Sequence, residues 1–154
     1  MTETLFYHLE RSGLEDVLPG LLERTRARDW KAVVRVGTAE RMEILDTHLW
    51  TYSEQTFLAH GTAADGHPSR QPIYLTTESE NPNSASVLFL VGGAVPEDWK
   101  ASGLCNYARI VLMFDGRDES ALNAARAQWR SCKDAGHDAT YWKQSPAGKW
   151  EKQG

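Results

Sequence analysis

The sequence predicts a three-layer α/β fold, a mostly parallel sheet with helices on both faces, Rossmann-like in outline. Strand-like apolar runs alternate along the chain with stretches of helical periodicity, the pattern of successive βαβ units. Those runs are continuously apolar rather than alternating, as in Val87-Leu88-Phe89-Leu90-Val91, which is how strands buried on both faces read. The chain has 154 residues, 41% of them hydrophobic and 25% charged, which fits one domain over residues 1–154 around one core.

The elements follow in order. Thr4 to Leu9 carries Leu5, Phe6, Tyr7 and Leu9 and reads as a first strand. After Gly13, Leu14, Val17, Leu18, Leu21, Leu22 and Thr25 recur at helical spacing; Pro19 inside this pattern predicts a later start or a kink. Lys31 to Gly37 is Val-rich and reads as a second strand. Thr38 can cap a second helix whose apolar positions are Met42, Leu45, Leu49 and Trp50, ending near Trp50. Ser53 to Gln71 reads mostly as loop, and Ile73 to Thr77 and Val87 to Val91 as strands separated by Asn81-Pro82-Asn83-Ser84. Arg109 to Phe114 is another buried-type strand. A helix from about Asp118 to Ala135 follows, with Gly136 placed to stop it. Asp138 to Lys143 reads as an edge strand.

Composition narrows the function. With 17 Lys and Arg against 21 Asp and Glu the net charge is -4, so indiscriminate binding to a phosphate backbone is disfavoured, though a local basic site is compatible with it. The longest apolar stretch, Ala85 to Val95, contains Gly92 and Gly93 and falls short of the about 20 residues of a membrane span. The first residues lack a signal-peptide pattern, so a cytoplasmic protein is expected. Cys105 and Cys132 stand far apart without a CxxC and read as reduced thiols.

No catalytic or cofactor motif stands out. Glu10-Arg11-Ser12-Gly13 occupies the place of a GxGxxG after the first strand, no GxxxxGK[ST] occurs, and the five histidines lack metal-site spacing. No catalytic residue, cofactor or metal is therefore expected. The competing reading is a small nucleotide- or phosphate-dependent α/β enzyme using the Gly92-Gly93 turn.

Charge distribution says more. Met1 to Ala108 holds 9 basic and 15 acidic residues, Arg109 to Gly154 holds 8 basic and 6 acidic. On the helix near the C-terminus, Leu122, Ala125, Trp129 and Cys132 form an apolar stripe, and Arg126, Arg130 and Lys133 run beside it. A solvated helix face with snorkelling arginines would look this way. So would a docking site for an acidic, hydrophobic peptide, with guanidinium forks on carboxylates and an aromatic wall.

Thr4-Leu5-Phe6-Tyr7-His8-Leu9, Leu49-Trp50 followed by Phe57-Leu58-Ala59-His60, Ala125-Arg126-Ala127-Gln128-Trp129-Arg130 leading to Ala135-Gly136-His137, and Tyr141-Trp142-Lys143-Gln144 together resemble the chi subunit family of bacterial DNA polymerase III holoenzyme. The resemblance covers nearly the whole chain. It implies a non-catalytic accessory subunit that binds the acidic C-terminal tail of single-stranded DNA-binding protein and, through another surface, a psi-like clamp-loader subunit or a helicase. From the net acidic charge and the short apolar stretch, no direct contact to nucleic acid or membrane is expected. By position it assigns tail binding to Arg126, Trp129 and Arg130, with Lys133 able to supply a further cation, and the partner-subunit interface to Trp50 and Phe57. Leu122 stands where better-known members have a basic residue, Trp129 replaces a tyrosine, and Ser145 to Gly154 is an extension beyond them.

Overall fold

The computed structural model describes residues 2–10, 12–52, 58–147 and 149–153. Its elements are strand β1 (Glu3–Leu9), helix α1 (Leu14–Ala27), β2 (Ala32–Val36), α2 (Ala39–Thr51), β3 (Ile73–Thr76), β4 (Val87–Val91), β5 (Arg109–Asp115), α3 (Glu119–Asp134), β6 (Asp138–Gln144) and β7 (Trp150–Lys152). Short 3₁₀ turns at Ala63–Asp65, Pro68–Arg70 and Ser102–Asn106 punctuate the connections.

The seven strands form one sheet in the order β3-β2-β4-β5-β1-β6-β7. All pairs are parallel except β6 with β7. Parallel neighbours need long crossovers; α1, α2 and α3 supply those that leave β1, β2 and β5, and the loop with the Ser102–Asn106 turn supplies the one from β4 to β5. β2 and β4 are buried at every position, β4 through an unbroken apolar sequence and β2 through an apolar run that also buries Arg35. On one face, Leu18 and Leu22 of α1 and Leu45 and Leu49 of α2 pack on Val34, Val36, Phe89 and Val111. On the other, Ala125 and Cys132 of α3 pack on Phe6, Leu88, Ile110 and Leu112 together with Trp99 and Leu104 of the loop before β5. The sheet therefore has helices on both faces.

Local chemistry explains the helix limits. Thr38 caps α2 by accepting the Arg41 amide at 3.2 Å, and Asp118 caps α3 by accepting from Ser120 and Ala121. Gly136, at φ 86°, occupies the left-handed position beyond the end of α3 that favours glycine. Of the two sequence expectations for Pro19, the later start does not hold: α1 begins at Leu14, and Pro19 lies inside the helix, well past its first turn. Proline there leaves the Glu15 carbonyl without its helical donor. His48 of α2 donates to that carbonyl from Nε2 at 2.7 Å, so the flaw in α1 is repaired by its neighbour.

A second correction concerns the far edge. β6 is not the last strand, because the chain turns after Gln144 and returns as β7, pairing Trp142 with Lys152 and Gln144 with Trp150. The extension thus closes the edge that β6 would otherwise expose.

Candidate peptide-docking site

The apolar stripe of α3 faces the sheet as its spacing predicts: Ala125 and Cys132 are buried, and Leu122 and Trp129 are half-buried against the same core. Burial pushes the Cys132 thiol up to about 11, which keeps it in the unreactive protonated form. Arg126, Arg130 and Lys133 are exposed beside this stripe.

Trp129 is fixed by rings on two sides. Its indole meets Phe6 of β1 edge-on at 5.3 Å and Tyr141 of β6 edge-on at 5.6 Å, geometries favoured by the ring quadrupoles. The Lys133 ammonium lies 5.5 Å from the centre of the same indole. Tyr141 is held in turn by His8 of β1, whose Nδ1 is 2.7 Å from the phenol oxygen. His8 Nε2 lies 3.1 Å from Glu10 Oε1, and the Lys143 ammonium 3.4 Å from the same oxygen.

Burial lowers the His8 imidazole below its ordinary value, outweighing the opposite pull of Glu10, while Lys143 and Arg126 add to the lowering. A neutral imidazole between a phenol and a carboxylate has one consistent tautomer: Nε2–H donates to Glu10, and Nδ1 accepts the Tyr141 hydroxyl proton. The Tyr141 oxygen keeps its acceptor capacity on the docking face. Burial raises the Tyr141 phenol, partly opposed by the charge of Arg126, so the phenol stays protonated under ordinary conditions. Gly116 is required here, because a Cβ at that position would collide with the His8 ring.

Arg126, Trp129, Arg130 and Lys133 therefore converge with Tyr141 and His8 at one edge of the molecule, where α3 crosses β1 and β6. Sequence reasoning did not assign Tyr141 or His8 to this edge. Their contact links residues 133 positions apart, which local periodicity cannot register. Such an edge offers cations to carboxylates and a rigid indole to an apolar side chain.

The second predicted surface is only partly visible. Trp50, at the end of α2, is 48% exposed, and its ring lies 4.1 Å from that of His60. His60 is itself buried, with Nε2 at 3.1 Å from Asp46 Oδ1. Phe57 lies outside the described residues.

The crevice at the carboxyl ends of the strands, where doubly wound folds take nucleotides, holds a cavity of about 540 Å³ lined by Leu14, Arg41, Gly92, Gly93, Met113 and Asp118 among others. Its helix N-termini are occupied by the protein's own carboxylates: Asp16 accepts the Gly13 amide at 3.1 Å, and Asp118 accepts at the start of α3. The Gly92-Gly93 turn has φ of 61° and 92°, its Gly92 carbonyl accepts from Arg41 at 2.6 Å, and a Cβ on Gly37 would collide with that carbonyl. The two glycines are thus accounted for by the turn. Among the described residues no cluster of His, Cys, Asp or Glu could hold a metal ion, and no helix is long and apolar enough to cross a membrane.

Fold and site together define a three-layer α/β protein whose crevice at the strand ends is capped by its own side chains and whose α3 edge carries three exposed cations without an ion pair among the described residues. A family model described as DNA polymerase III chi subunit, HolC, matches residues 1–140, and the chain belongs to that family, a component of DNA replication. The chain is also 35% identical over 91 residues to a protein of Rickettsia prowazekii (strain Madrid E) named probable DNA polymerase III subunit chi. That match covers 59% of this chain and 55% of the Rickettsia protein, so the chain spans about half the length of this relative.

Proposed function

We propose that the chain is a non-catalytic replisome adaptor whose α3 edge binds the acidic C-terminal tail of single-stranded DNA-binding protein. The observation that supports this most is the fixed indole of Trp129, set between Phe6 and Tyr141, with three exposed cations on the same helix. A tail that ends in carboxylates and an apolar residue needs that combination: guanidinium groups for the carboxylates and a rigid ring for the apolar end. Leu122, at the site where better-known members of the family have a basic residue, extends the apolar floor, and Lys133 over the Trp129 ring supplies the extra cation. The exposed end of α2 at Trp50, with Phe57 beyond it, serves as the second contact, for a psi-like clamp-loader subunit or a helicase.

Calorimetric titration with a peptide copying the tail of the cognate single-stranded DNA-binding protein tests the first part. Saturable binding that weakens as salt rises is expected, since the contacts are ionic and partly exposed; absence of binding at low salt refutes it. The second part is tested by Phe57→Ala and Trp50→Ala, each expected to keep the melting temperature and lose capture of the psi-like or helicase partner. Retained capture by both refutes that assignment.

A further inference from the structure

We propose that the face of the sheet opposite α3, across β5, β1, β6 and β7, binds single-stranded nucleic acid, with bases on Tyr7, Trp142 and Trp150 and phosphates on Arg24, Arg28 and Arg109. Side chains of consecutive strand residues point to opposite faces. Tyr141 and Trp142 therefore serve opposite sides of β6, and this strip lies behind the docking edge rather than within it.

The strip is continuous. Tyr7 and Trp142 are register partners in β1 and β6, and the Tyr7 ring meets Trp150 of β7 edge-on at 4.8 Å. Trp142 is oriented by a hydrogen bond from its indole to the Thr140 hydroxyl at 3.0 Å. All three rings are half-buried. On this side α1 packs on β5, and α2 on β2 and β3. Among the described residues no further helix is present to lie over β1, β6 and β7.

Next to Tyr7 a cavity of about 410 Å³ opens between α1 and the strands, lined by Leu21, Arg24, Arg28, Trp30 and Arg109 among others. The guanidinium carbons of Arg28 and Arg109 lie 5.0 Å and 5.8 Å from the centre of the Trp30 ring, an arrangement that orients both cations. Among the described residues Arg24 and Arg28 have no ion pair. Of the strand acids on this face, Glu3 is 3.3 Å from Arg109, Asp138 is the register partner of Glu3 in β6, and Asp115 at the far end of β5 pairs with Arg117; on α1, Glu23 stands next to Arg24. Lys152 adds a cation opposite Trp142.

The occupant follows from pairing rings with cations. An acidic peptide would use the arginines but leave three flat rings without a matching ligand, whereas successive bases stack on aromatic side chains while phosphates meet the arginines. The net charge of -4 opposes the approach of a polyanion, and salt screens the part of that repulsion that comes from charges beyond a Debye length of the strip. This assignment is independent of tail binding, so either can fail without the other.

Fluorescence anisotropy of a labelled oligothymidylate of ~15 nucleotides tests it. Saturable binding at low salt is expected, with a log–log salt slope of about −2 for three phosphate contacts. Arg24→Gln with Arg28→Gln should weaken binding and shrink that slope by about 1.4. Trp142→Ala should weaken it roughly five- to a hundredfold. Arg70→Gln, an exposed cation elsewhere, should leave it unchanged. Because Arg24 and Arg28 are exposed, their replacement does not threaten the fold. The proposal is overturned by absence of saturable binding, by wild-type affinity in both the arginine and tryptophan variants, by equal affinity for a duplex of the same length, or by preferential binding of oligoglutamate.

Discussion

The crevice at the carboxyl ends of the strands and the edge formed by α3 hold similar ingredients with opposite outcomes. Both combine apolar walls, arginines and a helix. In the crevice, Arg41 donates to the Gly92 carbonyl, Arg117 pairs with Asp115 at 3.0 Å, and the helix N-termini are capped by Asp16 and Asp118. At the α3 edge, Arg126, Arg130 and Lys133 have no ion pair among the described residues, and the rings beside them are fixed from behind. What distinguishes the two regions is which polar groups still lack a partner.

The largest effect expected from this contrast is on tail binding. Charge-assisted contacts contribute about 1.5 to 3 kcal/mol each, so Arg126→Ala or Arg130→Ala should weaken binding of the tail peptide roughly ten- to a hundredfold with little change in melting temperature. Wild-type affinity in both variants would remove the site from this helix. In the crevice the expected loss is of stability instead. Gly37→Ala drives a Cβ into the Gly92 carbonyl oxygen, and a cost of about 1 to 3 kcal/mol should appear as a lower urea midpoint, with peptide affinity unchanged in the folded protein. A neutral Gly37→Ala would mean that the turn is free to shift.

A smaller effect comes from the support behind the edge. His8 has its folded value lowered by burial, so protons bind the unfolded chain more readily. Its contribution is present above the ordinary imidazole value near 6.5 and is lost as pH falls through the lower folded value. Wild-type stability should therefore drop as pH falls below the ordinary imidazole value of about 6.5, and His8→Gln should flatten that part of the urea-midpoint profile. An equally steep profile in the variant would assign the drop elsewhere. The smallest effect is expected at His48. Its replacement by Ala should cost about 0.5 to 1.5 kcal/mol by chemical denaturation, and less in a Pro19→Ala background, where the helix regains the donor for Glu15. Equal costs in both backgrounds would show that the hydrogen bond to Glu15 contributes nothing.

The same contrast explains what was legible in the sequence. Helix α3 was readable almost to the residue, since Asp118, the Leu122 to Cys132 stripe and Gly136 all encode it locally. The buried strands were readable from their unbroken apolar runs. β7 was not, because three residues, Trp150 to Lys152, become a strand only by pairing with β6. The start of α1 was left open between two alternatives, because the contact that tolerates Pro19 comes from His48, which lies in a different helix. At the site, Arg126, Trp129, Arg130 and Lys133 were legible as one helical face. Tyr141 and His8 were not, since they reach Trp129 only through the order β5-β1-β6 in the sheet, and sequence spacing does not specify that order.

Backbone amide and indole N–H shift mapping on titration with the tail peptide tests most directly whether binding resides at the α3 edge rather than in the crevice. The account expects the largest shifts at Arg126 to Lys133, the Trp129 indole and Tyr141, with Gly13, Gly92, Gly93 and Asp118 unmoved. Shifts centred on the Gly92-Gly93 turn and the starts of α1 and α3, with the Trp129 indole unmoved, would contradict it.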